Sequence, residues 1–127
     1  MKLTKKIKPE FIDERGAITK LLDDGKTNIK SILLITSKKG SIRSNHYHKK
    51  DTHHIYIISG KMEYYEKTVK GNTKLQKVMV SSGDIVFAPS IAAHATKFLE
   101  DTVLMAFSTK SRNQKAYEKH TVRIKLI

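Results

Sequence analysis

The 127-residue chain reads as an all-β protein, a sandwich or closed barrel of short strands, and three observations point there. Its apolar side chains gather in short runs rich in Ile, Val, Tyr, Phe and Thr, the types that suit a pleated, half-buried surface. Turn signals, most of them carrying glycine, part these runs at close intervals. No window of roughly 11 to 18 residues carries a convincing helical period. Short strands between glycine turns are the pattern of a sandwich or barrel.

The elements follow in order. Lys2–Lys8 predicts a first strand, at an exposed edge and open to exchange between subunits. After the Asp23-Asp24-Gly25 turn, Ser31–Thr36 predicts a strand around the apolar run Ile32–Ile35. Lys39-Gly40 turns the chain into the stretch that holds His46 and His48. The polar turn Lys49–Thr52 leads to a strand at His54–Ser59, and Ser59-Gly60 turns into the next at Met62–Lys67. Lys70-Gly71-Asn72 and Ser81-Ser82-Gly83-Asp84 bracket Leu75–Val80, and Asp84–Phe87 follows as a strand. Val103–Ser108 and Thr121–Leu126 complete the strands, with one helical turn near Gln114–Glu118 between them. With no repeat, low-complexity tract or linker, residues 1–127 are expected to form a single domain.

The formal charge is +13, with no cysteine in the chain. Disulfides, thiolate nucleophiles and cysteine metal sites are excluded, which fits a reducing compartment and an expected cytoplasmic location. No apolar run approaches the ~20 residues that cross a bilayer, so no membrane role is expected. Arginine, the residue suited to bidentate phosphate and base contacts, occurs only at Arg15, Arg43, Arg112 and Arg123. The other positive charges are lysines scattered along the chain, with no block of five. That argues against nucleic acid and leaves anionic small molecules as partners.

Five of the six histidines fall in two places. His46 and His48 are two apart, so in a strand both rings leave one face, about 7 Å apart at Cα, while Tyr47 points the other way. In the next strand His53, Ile55 and Ile57 share one face, and His54, Tyr56 and Ile58 the other. One of His53 and His54 can join the cluster, and parity alone does not say which. By the same rule Arg43 faces away from His46 unless the strand bulges.

The spacing Gly40, His46-Tyr47-His48, His53, Gly60 resembles the first motif of the cupins, and Gly83, Pro89, His94 resembles the second. The resemblance covers residues 40–98 in detail and implies a cupin double-stranded β-helix, a jelly-roll barrel. It selects His53 over His54, and it implies His46, His48, His53 and His94 as metal ligands. His53 stands where the motif usually has glutamate, and Ala92 where the second motif usually has glycine. The resulting all-nitrogen set suits one divalent transition metal, Zn, Ni, Fe or Cu, better than Mg or Ca. The alternative is a metal-free site in which the imidazoles act as acid and base.

Phe11-Ile12-Asp13-Glu14-Arg15-Gly16 and Arg43 ahead of His46-Tyr47-His48-Lys49-Lys50 resemble the small cupins of nucleotide-sugar biosynthesis. These are the 3,4-ketoisomerases of dTDP-4-keto-6-deoxyhexoses and, more distantly, the 4-keto sugar 3,5-epimerases. The resemblance implies a homodimer, a nucleotide-sugar substrate, and substrate contacts from Arg15 and Arg43. Proton transfer α to a ketone needs a base with a pKa near 7 and stabilisation of the enolate. His46 or His48 is the expected base in the metal-free version, with the other histidine or Tyr64 returning the proton. Alternatives are a metal-dependent cupin of another class (dioxygenase, lyase or sugar-phosphate isomerase) and a non-enzymatic sugar-binding barrel.

Overall fold

The computed structural model describes residues 1–127 apart from Asn72, which completes one expected turn, and for Gln114 the backbone alone. Ten strands form two five-stranded antiparallel sheets. The first holds β1 (Lys2–Thr4), β9 (Ile85–Ala88), β6 (His53–Ser59), β11 (Thr102–Ser108) and β4 (Ser31–Ser37), side by side in that order. The second runs β12 (Thr121–Arg123), β5 (Ile42–His48), β10 (Ala92–Phe98), β7 (Lys61–Thr68) and β8 (Gln76–Ser81). A separate hairpin pairs β2 (Phe11–Asp13) with β3 (Gly16–Ile18), and one helix, α1 (Gln114–His120), precedes β12. The architecture is the jelly-roll barrel expected from the sequence.

Alternation builds the core. Ile55 and Ile57 of β6, Met62 and Tyr64 of β7, Val80 of β8, Val86 of β9, Phe98 of β10 and Leu104 of β11 point inward and pack together. Gly60 makes the β6–β7 turn possible. Its φ is +102°, and a Cβ there would lie 2.4 Å from Thr102 Oγ1 and 2.6 Å from the Asp101 carbonyl oxygen. No side chain but glycine's fits.

Several elements differ from expectation, among them the β2–β3 hairpin, where no strand was expected. The first strand is confined to Lys2–Thr4 and pairs within its own chain, Leu3 opposite Val86. The last strand stops at Arg123 instead of reaching Leu126. β10 was not expected as a strand because Ala92-Ala93-His94-Ala95 lacks the β-branched residues that mark one. Tertiary pairing overrides that propensity, since β10 hydrogen-bonds to β5 on one side and β7 on the other. The helical turn near Gln114–Glu118 is a full helix, and the Asn113 side chain accepts from the Ala116 N–H at its start.

Candidate active site

Adjacent strands bring the histidines together. His46 on β5 lies directly opposite His94 on β10, and their ring centroids are 4.8 Å apart. His48 is two residues further along β5, its ring 4.5 Å from that of His46. One ring nitrogen from each of His46, His48 and His94 lies within 4.8 Å of the other two, and all three residues are buried. His53 arrives from β6 of the facing sheet and stacks on His48 at 4.7 Å and 17°. His54 points out of the barrel onto Phe87, as the parity of the strand requires.

His53 stands apart in its bonding. Its Nε2 lies 2.8 Å from Asp51 Oδ2, and the other carboxylate oxygen accepts from the Thr109 N–H and hydroxyl. The structure therefore groups three histidines with free ring nitrogens and holds the fourth against a carboxylate. The three-histidine grouping leaves out His53, whose Asp51 bond takes Nε2 and leaves Nδ1 as its one nitrogen for a further partner.

Hydrogen bonds assign the tautomers. The Thr121 hydroxyl donates to the Tyr117 carbonyl at 2.6 Å, so toward His48 Nδ1, 3.2 Å away, it accepts. His48 thus carries its proton on Nδ1, and its Nε2 is buried with no partner among the described residues. His94 Nδ1 faces the Ala92 carbonyl at 3.4 Å, which can only accept, so its lone pair is also on Nε2. His46 Nδ1 is likewise buried and unpartnered. Burial, reinforced by the neighbouring imidazoles, pushes His46 down to about 2, His48 to about 4 and His94 to about 3. Three neutral rings, each with a nitrogen within 4.8 Å of the other two, are the donor set a divalent transition metal takes.

A cavity of about 600 Å³ opens onto this cluster, with His46, His53 and His94 on its walls together with Arg43, Arg112 and Arg123. Arg43 reaches it through a β-bulge. Ser44 and Asn45 have positive φ (71° and 54°), and the register with β10 slips there, so that His94 opposes His46 while Thr96 opposes Arg43. The extra residue places Arg43 on the face of His46. Its guanidinium is held by Ser37 Oγ at 2.7 Å and the Thr36 carbonyl at 3.0 Å.

Two expected site residues lie elsewhere. Tyr64 is fully buried in the core and donates its hydroxyl to Glu66 Oε1 at 2.8 Å. Burial and the Glu66 carboxylate hold its phenol far above the usual range, and its ring lies 6.2 Å from that of His94. Arg15 sits on the β2–β3 hairpin, exposed and paired with Asp13 at 2.6 Å, away from the cavity lining.

Sequence reasoning missed Arg112, Arg123 and Tyr117. Tyr117 of α1 lines the cavity, with its ring 5.5 Å from His48 and 6.3 Å from His46, and the Arg112 guanidinium lies 4.0 Å over that ring. One signal was available. Only four of the 25 basic side chains are arginine, and three of those four line the cavity.

The cupin family model matches residues 17–124, and the chain belongs to the cupin family. No curated protein matches the sequence significantly. Among solved structures, a double mutant of the QdtA 3,4-ketoisomerase from Thermoanaerobacterium thermosaccharolyticum, in complex with TDP, superposes with a TM-score of 0.75 at 20% identity. That match covers 96% of this chain and 86% of the other. The dTDP-4-dehydrorhamnose 3,5-epimerase from Sulfolobus tokodaii gives 0.72 at 21% identity, over 87% of this chain and 70% of the other. The capsular polysaccharide assembling protein CapF from Staphylococcus aureus gives 0.69 at 19% identity over 78% of this chain. The chain spans only 27% of the CapF length. No helix is long and apolar enough to cross a membrane among the described residues.

Proposed function

We propose that the protein is an isomerase or epimerase of 4-keto-6-deoxy nucleotide sugars that moves a proton α to the ketone. The cavity carries this reading, because it joins three arginines to the histidine cluster. Guanidinium groups suit a diphosphate, whose oxygens they meet in pairs. With the diphosphate so held, the attached sugar falls within reach of the imidazoles. Structures with the same fold include a 3,4-ketoisomerase described with TDP-4-keto-6-deoxyglucose, which supports this substrate class.

The four histidines then divide the work. His53 donates Nε2–H to Asp51 and keeps Nδ1 for the sugar proton, and the carboxylate steadies the imidazolium that forms. His46 and His48 are poor bases, because burial holds both well below neutrality. They and His94 instead offer the lone pairs that would hold a divalent transition metal. When bound there, such an ion would supply Lewis acidity to the ketone oxygen. Tyr117, which lines the cavity in place of Tyr64, is assigned the return of the proton.

The active form is proposed to be a homodimer. The outer face of β4 exposes Ile32 (59%) and Leu34 (68%), and the β2–β3 hairpin exposes Phe11, Ile12 and Ile18. An isolated two-stranded hairpin is marginal in water, and a second copy would cover it. In such a dimer Arg15 could meet substrate.

Incubation with TDP-4-keto-6-deoxyglucose, followed by NMR of the product, tests the reading. A carbonyl moved to C3, or inversion at C3 or C5, is expected. Unchanged sugar across the 4-keto-6-deoxy nucleotides would refute it.

A further inference from the structure

A second pair of recesses lies behind the histidine cluster. The inner one, about 330 Å³, has His48, Tyr117 and His120 on its walls. The outer one, about 450 Å³, is lined by Thr52, His54, Phe87 and Thr109. Lys30, Lys50 and Lys110 belong to both recesses. The three residues come from separate segments: before β4, after β5 and after β11.

Charge is not balanced there. The only carboxylate on either lining is Asp51, which is buried and committed to His53 and Thr109. Thr27, Thr52 and Thr109 line the outer recess and Ser111 the inner, with the Thr27 and Thr109 hydroxyls donating to Asp24 and Asp51. Three ammonium groups around a concave opening recognise a compact polyanion.

This region is separate from the arginine-lined cavity. His48 lines only the lysine side, His46, His53 and His94 line only the arginine side, and Tyr117 is the one residue the inner recess and the arginine cavity share. We propose that Lys30, Lys50 and Lys110 form a second anion-binding site, for the phosphate or pyrophosphate group of a small molecule, on the far side of His48 from the arginine cavity. Occupancy would bring negative charge up to the His48–Tyr117 wall. The assignment does not depend on the reaction proposed above.

Inorganic pyrophosphate is the probe, followed by calorimetry and by amide NMR shifts of Lys50, Thr52, Thr109 and Ser111. Wild-type protein is expected to show saturable binding with shifts at these amides. The surface double variant Lys50→Ala/Lys110→Ala should weaken it at least about tenfold, since it removes two charge-assisted contacts to the anion. Arg112→Ala/Arg123→Ala should leave those shifts in place. The proposal is overturned if pyrophosphate leaves these amides unshifted, if the lysine variant shows the same shifts at the same concentrations, or if the arginine variant abolishes them.

Discussion

At the scale of single residues, Thr121 decides which nitrogen of His48 is available. Its hydroxyl proton is committed to the Tyr117 carbonyl, so it accepts the His48 Nδ1 proton and turns Nε2 inward. Thr121→Val removes that acceptor while keeping the volume. Metal affinity, measured by competition with a chelator of known strength, should fall about 10- to 100-fold, as it does when an outer-shell partner of a histidine ligand is lost. Unchanged affinity would show that the tautomer is fixed by something else. The histidines were legible as residues because their spacing survives in one dimension. Arg112, Arg123 and Tyr117 were not, because nothing in the sequence says that the segment around α1 folds over the barrel mouth. Tyr64 is fully buried with its ring 6.2 Å from that of His94, a depth that the sequence does not show.

At the scale of elements, most strands could be read from runs of β-branched and aromatic residues, and their ends fell within a few positions. The alanine-rich β10 was silent by that measure, yet it carries His94 and is paired on both sides. Likewise, the Ser44–Asn45 bulge leaves no mark in composition, although it decides the face on which Arg43 stands. Gly60 was read only as a turn signal, and the structure gives it a sharper role. Gly60→Ala drives a methyl group into Thr102 and the Asp101 carbonyl at a φ of +102°. Thermal or urea unfolding should register a loss of about 3 kcal/mol or more. A loss under about 1 kcal/mol would mean that the β6–β7 turn yields more easily than its contacts suggest.

For the whole molecule, residues 1–127 are proposed to unfold as one unit, and the N-terminal segment is pinned to the barrel by Asp84. That buried carboxylate accepts from the Ser81 N–H at 2.8 Å, the Lys6 N–H at 2.9 Å and Lys5 Nζ at 3.0 Å. Burial alone would raise its pKa, but these donors outweigh burial and hold it below the ordinary value. Its contribution is therefore complete above the unfolded value near 3.9 and is lost as the pH falls through the lower folded one. Asp84→Asn should cost about 2 kcal/mol at pH 7, and the gap to wild type should begin to narrow only below about pH 4 and keep narrowing as the pH falls further, in urea titrations at stepped pH. A gap that stays constant as the pH falls below about 4 would assign the loss to packing. Sedimentation should give twice the 14.5 kDa chain mass, and a monomer would leave Arg15 without a role at the cavity.

The central claim is that His53, held by Asp51, takes a proton from carbon next to a sugar ketone. The most direct measurement is the rate at which solvent deuterium enters TDP-4-keto-6-deoxyglucose at C3 or C5, compared between wild type and His53→Asn. Wild type should exchange readily, and the variant, still folded by circular dichroism, should slow by about 10²- to 10⁴-fold. Exchange that proceeds at the same rate in the variant, or that never occurs in wild type, would contradict the account.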